Sequence, residues 1–158
     1  MRELPKYAKI EIERRWLVDL ARCPPFDANA AARITDRYIS RSQLRLRKIE
    51  SATGAVLYKL CKKYGHVGTL AQPIVNIYLS CEEFEMLNQL PGCLVVKHRH
   101  KMAGGAVDIY SSAEGRVAVF EIEFDDESSA AVYTPPDFVL EEVTHDRRYS
   151  GSALAGAD

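Results

Sequence analysis

Apolar and polar residues alternate with a period of two along most of the chain. In KIEIERRWLV, residues 9–18, Ile10, Ile12, Trp16 and Val18 fall on one face. Glu11, Glu13 and Arg15 fall on the other, and Arg14 is the exception on the apolar side. The same alternation marks 36–49 (DRYIS, then SQLRLRKI), 55–64, 73–80, 93–101, 104–112 and 115–125. Short Gly-containing links, SATGA at 51–55, KMAGG at 101–105 and SAEGR at 112–116, predict hairpin turns between successive strands. SCEEFEMLNQLPG places Ser80 at an N-cap, acids in the first turn and a Pro-Gly stop, and predicts a short helix over 81–90. DESSAAVYTPPD reads as a short helix followed by a loop. THDRRYSGSALAG, with Thr144 as its cap, predicts a C-terminal helix. About eight antiparallel strands with few helices give a mainly β (α+β) class, a closed barrel or a sandwich with helices over part of the outside.

Length and composition narrow this only a little. The 158 residues suit one domain, spanning 1–158, with 47% hydrophobic and 27% charged residues. A net charge of −1 provides no global field for nucleic acid or an anionic membrane, so neither is an expected partner. No apolar run is long enough to span a bilayer, and the N-terminal MRELPKYAK lacks the apolar core of a signal peptide. The four cysteines, Cys23, Cys61, Cys81 and Cys93, have no zinc-ligand spacing, and reduced thiols in a cytoplasmic protein are expected.

The polar faces of the strands change the picture more. Charges are sorted by sign: Glu11 and Glu13 with Arg15, Arg45 with Arg47, Lys59 with Lys63, Lys97 with Arg99, then Asp108, and Glu121 with Glu123. A wet outer face normally mixes signs, because like neighbours on a strand repel. Turned into a barrel, these faces would line a polar tunnel with a basic and an acidic zone. Such a tunnel needs partners for its charges: a polyanion for the cations, and a hard divalent cation for the clustered carboxylates.

The ordered series of motifs resembles the CYTH superfamily, the triphosphate tunnel metalloenzymes. Its hallmark E-x-E-x-K strand is matched by EIERR, Glu11 to Arg15. LRLRK, YKLCKK, VKHRHK, VDIY, FEIEF and finally EEVTHDRRYS, with Glu142, Asp146 and Tyr149, follow in family order. The resemblance spans residues 8–155 and implies an eight-stranded antiparallel barrel whose tunnel holds a linear triphosphate. It further implies that Glu11, Glu13, Glu121 and Glu123 hold Mg²⁺ or Mn²⁺. Arg45, Arg47, Lys59, Lys63, Lys97 and Arg99 would then bind phosphates, with Tyr38 at the tunnel. Glu11, Glu13, Arg15 and Asp108 form the expected catalytic group, Asp108 orienting one of the cations. The compact bacterial members of this layout are mostly inorganic triphosphatases acting on tripolyphosphate, and the pattern is compatible with a homodimer.

Three departures bear on function. Arg15 replaces the usual lysine, which keeps a charge partner for phosphate or Glu13 but removes a proton donor near neutral pH. Gln72, Ile74 and Asn76 stand where an R-x-E-x-E strand is usual, and Asn76 is left as a candidate hydrogen-bonding residue. Gly151 follows Tyr149 where Asn is common, with an expected effect on helix capping. Cys61 is read as a small filler between two lysines. His98 and His100 are expected outside the barrel, and His66 and His145 show no ligand spacing. The alternatives to a metal-dependent triphosphatase are a non-catalytic triphosphate or nucleotide sensor and a thiamine-triphosphatase or adenylyl cyclase type of member.

Overall fold

In a computed structural model, which describes residues 4–112 and 115–157, eight antiparallel strands close into a barrel. They are β1 (Lys9–Val18), β2 (Ala32–Ile39), β3 (Leu44–Glu50), β4 (Val56–Lys63), β5 (Ala71–Leu79), β6 (Gly92–Met102), β7 (Gly105–Ser112) and β8 (Gly115–Glu123). Around the barrel the order is β1-β5-β4-β3-β2-β6-β7-β8, and β8 returns to β1. A short ninth strand, β9 (Val139–Glu142), was not anticipated. It pairs with the far end of β1 beyond the reach of β5, at Trp16↔Glu142 and Val18↔Val139. Where β1 passes from one neighbour to the other, the Arg15 amide donates to the Thr144 hydroxyl at 3.0 Å, and the Val143 amide donates to the Arg15 carbonyl at 2.8 Å. No backbone group of Arg15 is stranded by the switch.

The predicted turns form as glycine chemistry dictates. Gly54 (φ +84°) closes β3–β4, and Ala103–Gly104 (φ +50° and +78°) closes β6–β7 with two left-handed residues. The third, SAEGR, falls partly on Ala113 and Glu114, outside the described residues.

The barrel is inverted relative to an ordinary small domain: its main apolar core lies outside the wall. Trp16, Val18, Val107, Ile109, Phe120 and Phe138 form that core, roofed by Leu20 and Phe26 on one side and Tyr133 on the other. Arg14, the exception in the alternation, is accounted for here. It holds Glu142 through two hydrogen bonds of 2.9 and 2.6 Å, donates to the Ala130 carbonyl, and lies over the Trp16 ring at 4.7 Å. It thereby pins β9 and α2 (Glu127–Val132) onto the outer face. Glu142, matched by order in the sequence, is thus an outer clamp. Inside the barrel, an apolar cluster packs at one end, where Val95, Tyr110, Val119 and Val143 meet Tyr149, Leu154 and Ala155.

Two helical expectations need correction. The helix α1 (Cys81–Leu87) has the foreseen Ser80–Glu83 capping box, but it stops at Leu87 because Asn88 caps it and accepts from Arg37. No helix starts at Thr144, whose hydroxyl is engaged with Arg15 and Glu142. Instead Asp146 caps a single turn at Arg147–Tyr149, and Ser150 caps α3 (Gly151–Leu154). Gly151 does more than affect capping, since a Cβ there would collide with the Tyr38 hydroxyl.

The outer core sets the stability of the wall. Phe120→Ala, at a fully buried ring 6.0 Å from Trp16, is expected to cost about 3–5 kcal/mol. Denaturant unfolding followed by the fluorescence of the single tryptophan measures it.

Candidate active site: the charged channel

Because the apolar residues of each strand face out, the alternate residues face in. They line a continuous channel of about 1650 Å³ that runs from the β2–β3 turn at one end to Lys9, Lys101 and Glu123 at the other. Glu11, Glu13, Arg15, Tyr38, Arg45, Arg47, Lys59, Lys63, Asn76, Lys97, Arg99, Glu121 and Glu123 all line it, as do Gln72 and Ile74. The strand register places acids on one wall, with Glu13 opposite Glu123 and Arg15 opposite Glu121 across β1–β8. Cations gather on the facing wall, with Arg47 opposite Lys59 across β3–β4. Between them β5 presents Gln72, Ile74, Asn76 and Tyr78, so the wall there is neutral.

Three networks hold these charges. In the first, Asp36 accepts both Nε and Nη2 of Arg47 at 2.6 Å, deep in the wall. Burial opposes the charge on Asp36, but the Arg47 fork outweighs it and holds the carboxyl below its usual range. Arg47 was expected to bind phosphate, and most of its fork is instead committed to Asp36. Arg45 is different. It lies 3.9 Å from Asp36, touches the Cys61 sulfur at 3.4 Å, and leaves its buried Nε without a partner. Lys59 has no ion pair among the described residues. Burial, together with the crowding of Arg47 and Arg45, pushes its pKa down. Asp36, already held by the Arg47 fork, only partly answers Arg45 and Lys59, which leaves the two as a candidate anion site.

In the second network, Asp108 is completely enclosed and bonds to Lys97 and, at 2.6 Å twice, to the Arg99 fork. Tyr110 accepts from Lys97 at 3.1 Å, and Arg99 also holds Glu121 at 2.6 Å. Burial alone would raise the Glu121 carboxyl, yet Lys97 and Arg99 drive it well below the ordinary range. Asp108 does not reach the channel, so the expected catalytic role is corrected: it positions both cations and touches nothing that could enter.

The third network carries the least compensated charge. Glu11 is bonded to Lys63, which reaches past the neutral β5 wall. Glu123 pairs with Lys9 at the rim at 3.5 Å, 60% exposed. Among the described residues Glu13 has one ion pair, with Arg15 at 3.6 Å. Arg15 itself donates to the carbonyls of Val143, Thr144 and Tyr149 at 3.4, 3.0 and 3.0 Å, so it ties down the C-terminal segment. Burial first, then the charges of Glu121 and Glu11, push the Glu13 carboxyl up to about 7, against the pull of Lys63 and Arg15.

Glu11, Glu13, Glu121 and Glu123 are the oxygen donors that could hold a hard cation. Among the described residues no three acids, histidines or cysteines are gathered for one, because Lys63, Arg99 and Lys9 hold three of these four carboxylates in place.

A relative from Nitrosomonas europaea named inorganic triphosphatase is 30% identical over 155 residues, covering 92% of this chain and 96% of the relative. The chain belongs to the CYTH superfamily. No protein-family model matches it. The crystal structure of the inorganic triphosphatase NE1496 aligns with this CYTH barrel at a TM-score of 0.55 and 27% identity, over 92% of this chain and 93% of that one. An adenylate cyclase-like protein of Bacillus halodurans shares the fold, with a TM-score of 0.56 at 17% identity over 80% and 86% of the two chains.

Some of the CYTH site lay beyond sequence reading. Asp36 was legible in principle, two residues before Tyr38 on the same inward face. His66 and His145 carry no such signal: 79 residues apart, they meet at the channel mouth with ring centroids 6.4 Å apart. His98 and His100 sit outside the barrel as expected, His100 against Phe26 at 4.4 Å.

Glu13 gives the fold a pH signature. Its carboxyl binds a proton more tightly folded than unfolded, so its contribution is complete below about 4.5 and lost as the pH rises through about 7. In EDTA, thermal melts across that window should show the native protein losing stability toward the upper end relative to Glu13→Gln. Parallel curves for the two proteins would contradict this.

Proposed function

We propose that this CYTH barrel is a metal-dependent triphosphatase that hydrolyses a linear triphosphate, inorganic tripolyphosphate first among them. The observation that carries the reading is the facing of two walls in one channel: Arg45, whose Nε makes no hydrogen bond, and Lys59, without an ion pair among the described residues, with Lys63, opposite the carboxylates Glu11, Glu13 and Glu121. The name of the Nitrosomonas relative supports the same activity.

The chain's residues divide the work. Arg45 offers its unpartnered Nε and Lys59 a crowded ammonium, so a phosphate chain relieves both at once. Arg99 and Lys97, aimed by Asp108, offset charge on the equatorial oxygens as the terminal P–O bond breaks and diphosphate leaves. Asp36 fixes Arg47 and so holds the β3 cations in register. Arg15 cannot relay a proton, and its three carbonyl bonds make it the anchor of the C-terminal segment.

The donor set fits Mg²⁺ or Mn²⁺. The candidate donors are all carboxylate oxygens. The surrounding cations compensate the charged form of Glu13 so little that its carboxyl is pushed up to about 7, a shift that a bound cation would reverse. Glu11, Glu13, Glu121 and Glu123 would hold the ion, which supplies a lowered pKa for the attacking water and neutralises phosphate charge. The neutral β5 wall of Gln72, Ile74 and Asn76 favours one other reading, a channel that binds triphosphate without cleaving it.

Phosphate release from tripolyphosphate with Mg²⁺ or Mn²⁺, and its loss in EDTA, is the expected result. Glu11→Gln should reduce turnover by about a hundredfold or more. Arg45→Ala should raise KM by about tenfold, the scale of one charged hydrogen bond. Tight tripolyphosphate binding without turnover in either metal would establish the sensor instead.

A further inference from the structure

The Glu11–Lys63 pair joins the basic and the acidic walls of the channel. Lys63 belongs to β4, with Lys59 and the anion-seeking Arg45 beside it, while Glu11 belongs to the acidic strand next to Glu13. The two strands are separated by β5, which presents Gln72, Ile74 and Asn76 there and so offers Lys63 no acid of its own. The ammonium therefore crosses β5 to Glu11. Both neighbouring carboxylates and burial act on Lys63, and the carboxylates prevail, holding its pKa above the ordinary lysine range. A second cation is shared in the same way: Arg99 bonds Glu121 as well as Asp108.

Resting on the triphosphatase reading, we propose that Lys63 is the resident counter-ion of the acidic wall, so that polyphosphate and divalent cation bind with positive coupling. A polyanion on Arg45 and Lys59 draws Lys63 toward itself and frees Glu11 beside Glu13 for a cation. A cation at Glu11 and Glu13 displaces Lys63 toward the phosphates. Each ligand removes the interaction that opposes the other, and thermodynamic linkage makes the gain the same in both directions. Arg45, with no hydrogen bond at Nε, and Lys59, with no ion pair among the described residues, make the polyanion the ligand better able to bind alone.

Two binding experiments without turnover test this. Mn²⁺ binding to the protein alone, followed by the EPR signal of the free ion, should be about tenfold tighter or more in Lys63→Met than in the unaltered protein. Tripolyphosphate binding in EDTA, followed by calorimetry, should likewise be several-fold tighter in Glu11→Gln, whose amide releases the ammonium. Unchanged or weaker Mn²⁺ binding in Lys63→Met would overturn the proposal. So would unchanged or weaker tripolyphosphate binding in Glu11→Gln, and this second arm decides alone if Lys63→Met does not fold. A protein that binds both ligands with this coupling yet hydrolyses nothing would refute the triphosphatase reading and leave the coupling standing.

Discussion

Everything in this molecule depends on keeping charge inside a closed wall of strands. An uncompensated ion in such a place costs several kcal/mol, and removing one member of a pair exposes the other to that cost. The protein meets the constraint by giving most interior ions a partner from an adjacent strand. Asp36 is answered by Arg47 and Asp108 by Lys97 and Arg99, at 2.6 Å in the two arginine forks. These pairs are part of the wall itself, and they decide which charges remain open to a ligand.

What remains open is small and placed on opposite sides. Arg45 keeps a nitrogen without a hydrogen bond, Lys59 has no ion pair among the described residues, and Glu13 is pushed up to about 7 by burial and by its acidic neighbours. A linear polyphosphate and a divalent cation would each relieve one of these debits of charge. The apolar core has been moved outside to leave room for this, with Trp16 and Phe120 packing against loops and α2 rather than against the barrel axis.

Most of the fold was legible because a strand's period of two separates faces with little ambiguity. KIEIERRWLV assigned Glu11, Glu13 and Arg15 to one side, and the structure keeps them there as channel lining. Counting by twos also placed Gln72, Ile74 and Asn76 inward correctly. What stayed unread shares a cause: alternation says which way a side chain points but not what it meets. Arg47 points in, yet Asp36 from the next strand takes its fork; Asp108 points in and is sealed by two cations. Arg15 looked like a ligand-facing charge, and a C-terminal segment far along the chain accepts its hydrogen bonds. Thr144 resembled a helix cap for the same local reason, and its hydroxyl serves β1 instead.

On the proposed function, the interior charges serve a linear chain of phosphates and not merely any anion. Melting in EDTA with tripolyphosphate, or with cyclic trimetaphosphate at the same phosphate concentration, tests it most directly. Tripolyphosphate at a large excess over its Kd should raise the midpoint by several degrees, as binding to the folded state alone requires, while the ring should shift it far less. Equal shifts for the two, or none for either, would contradict the account.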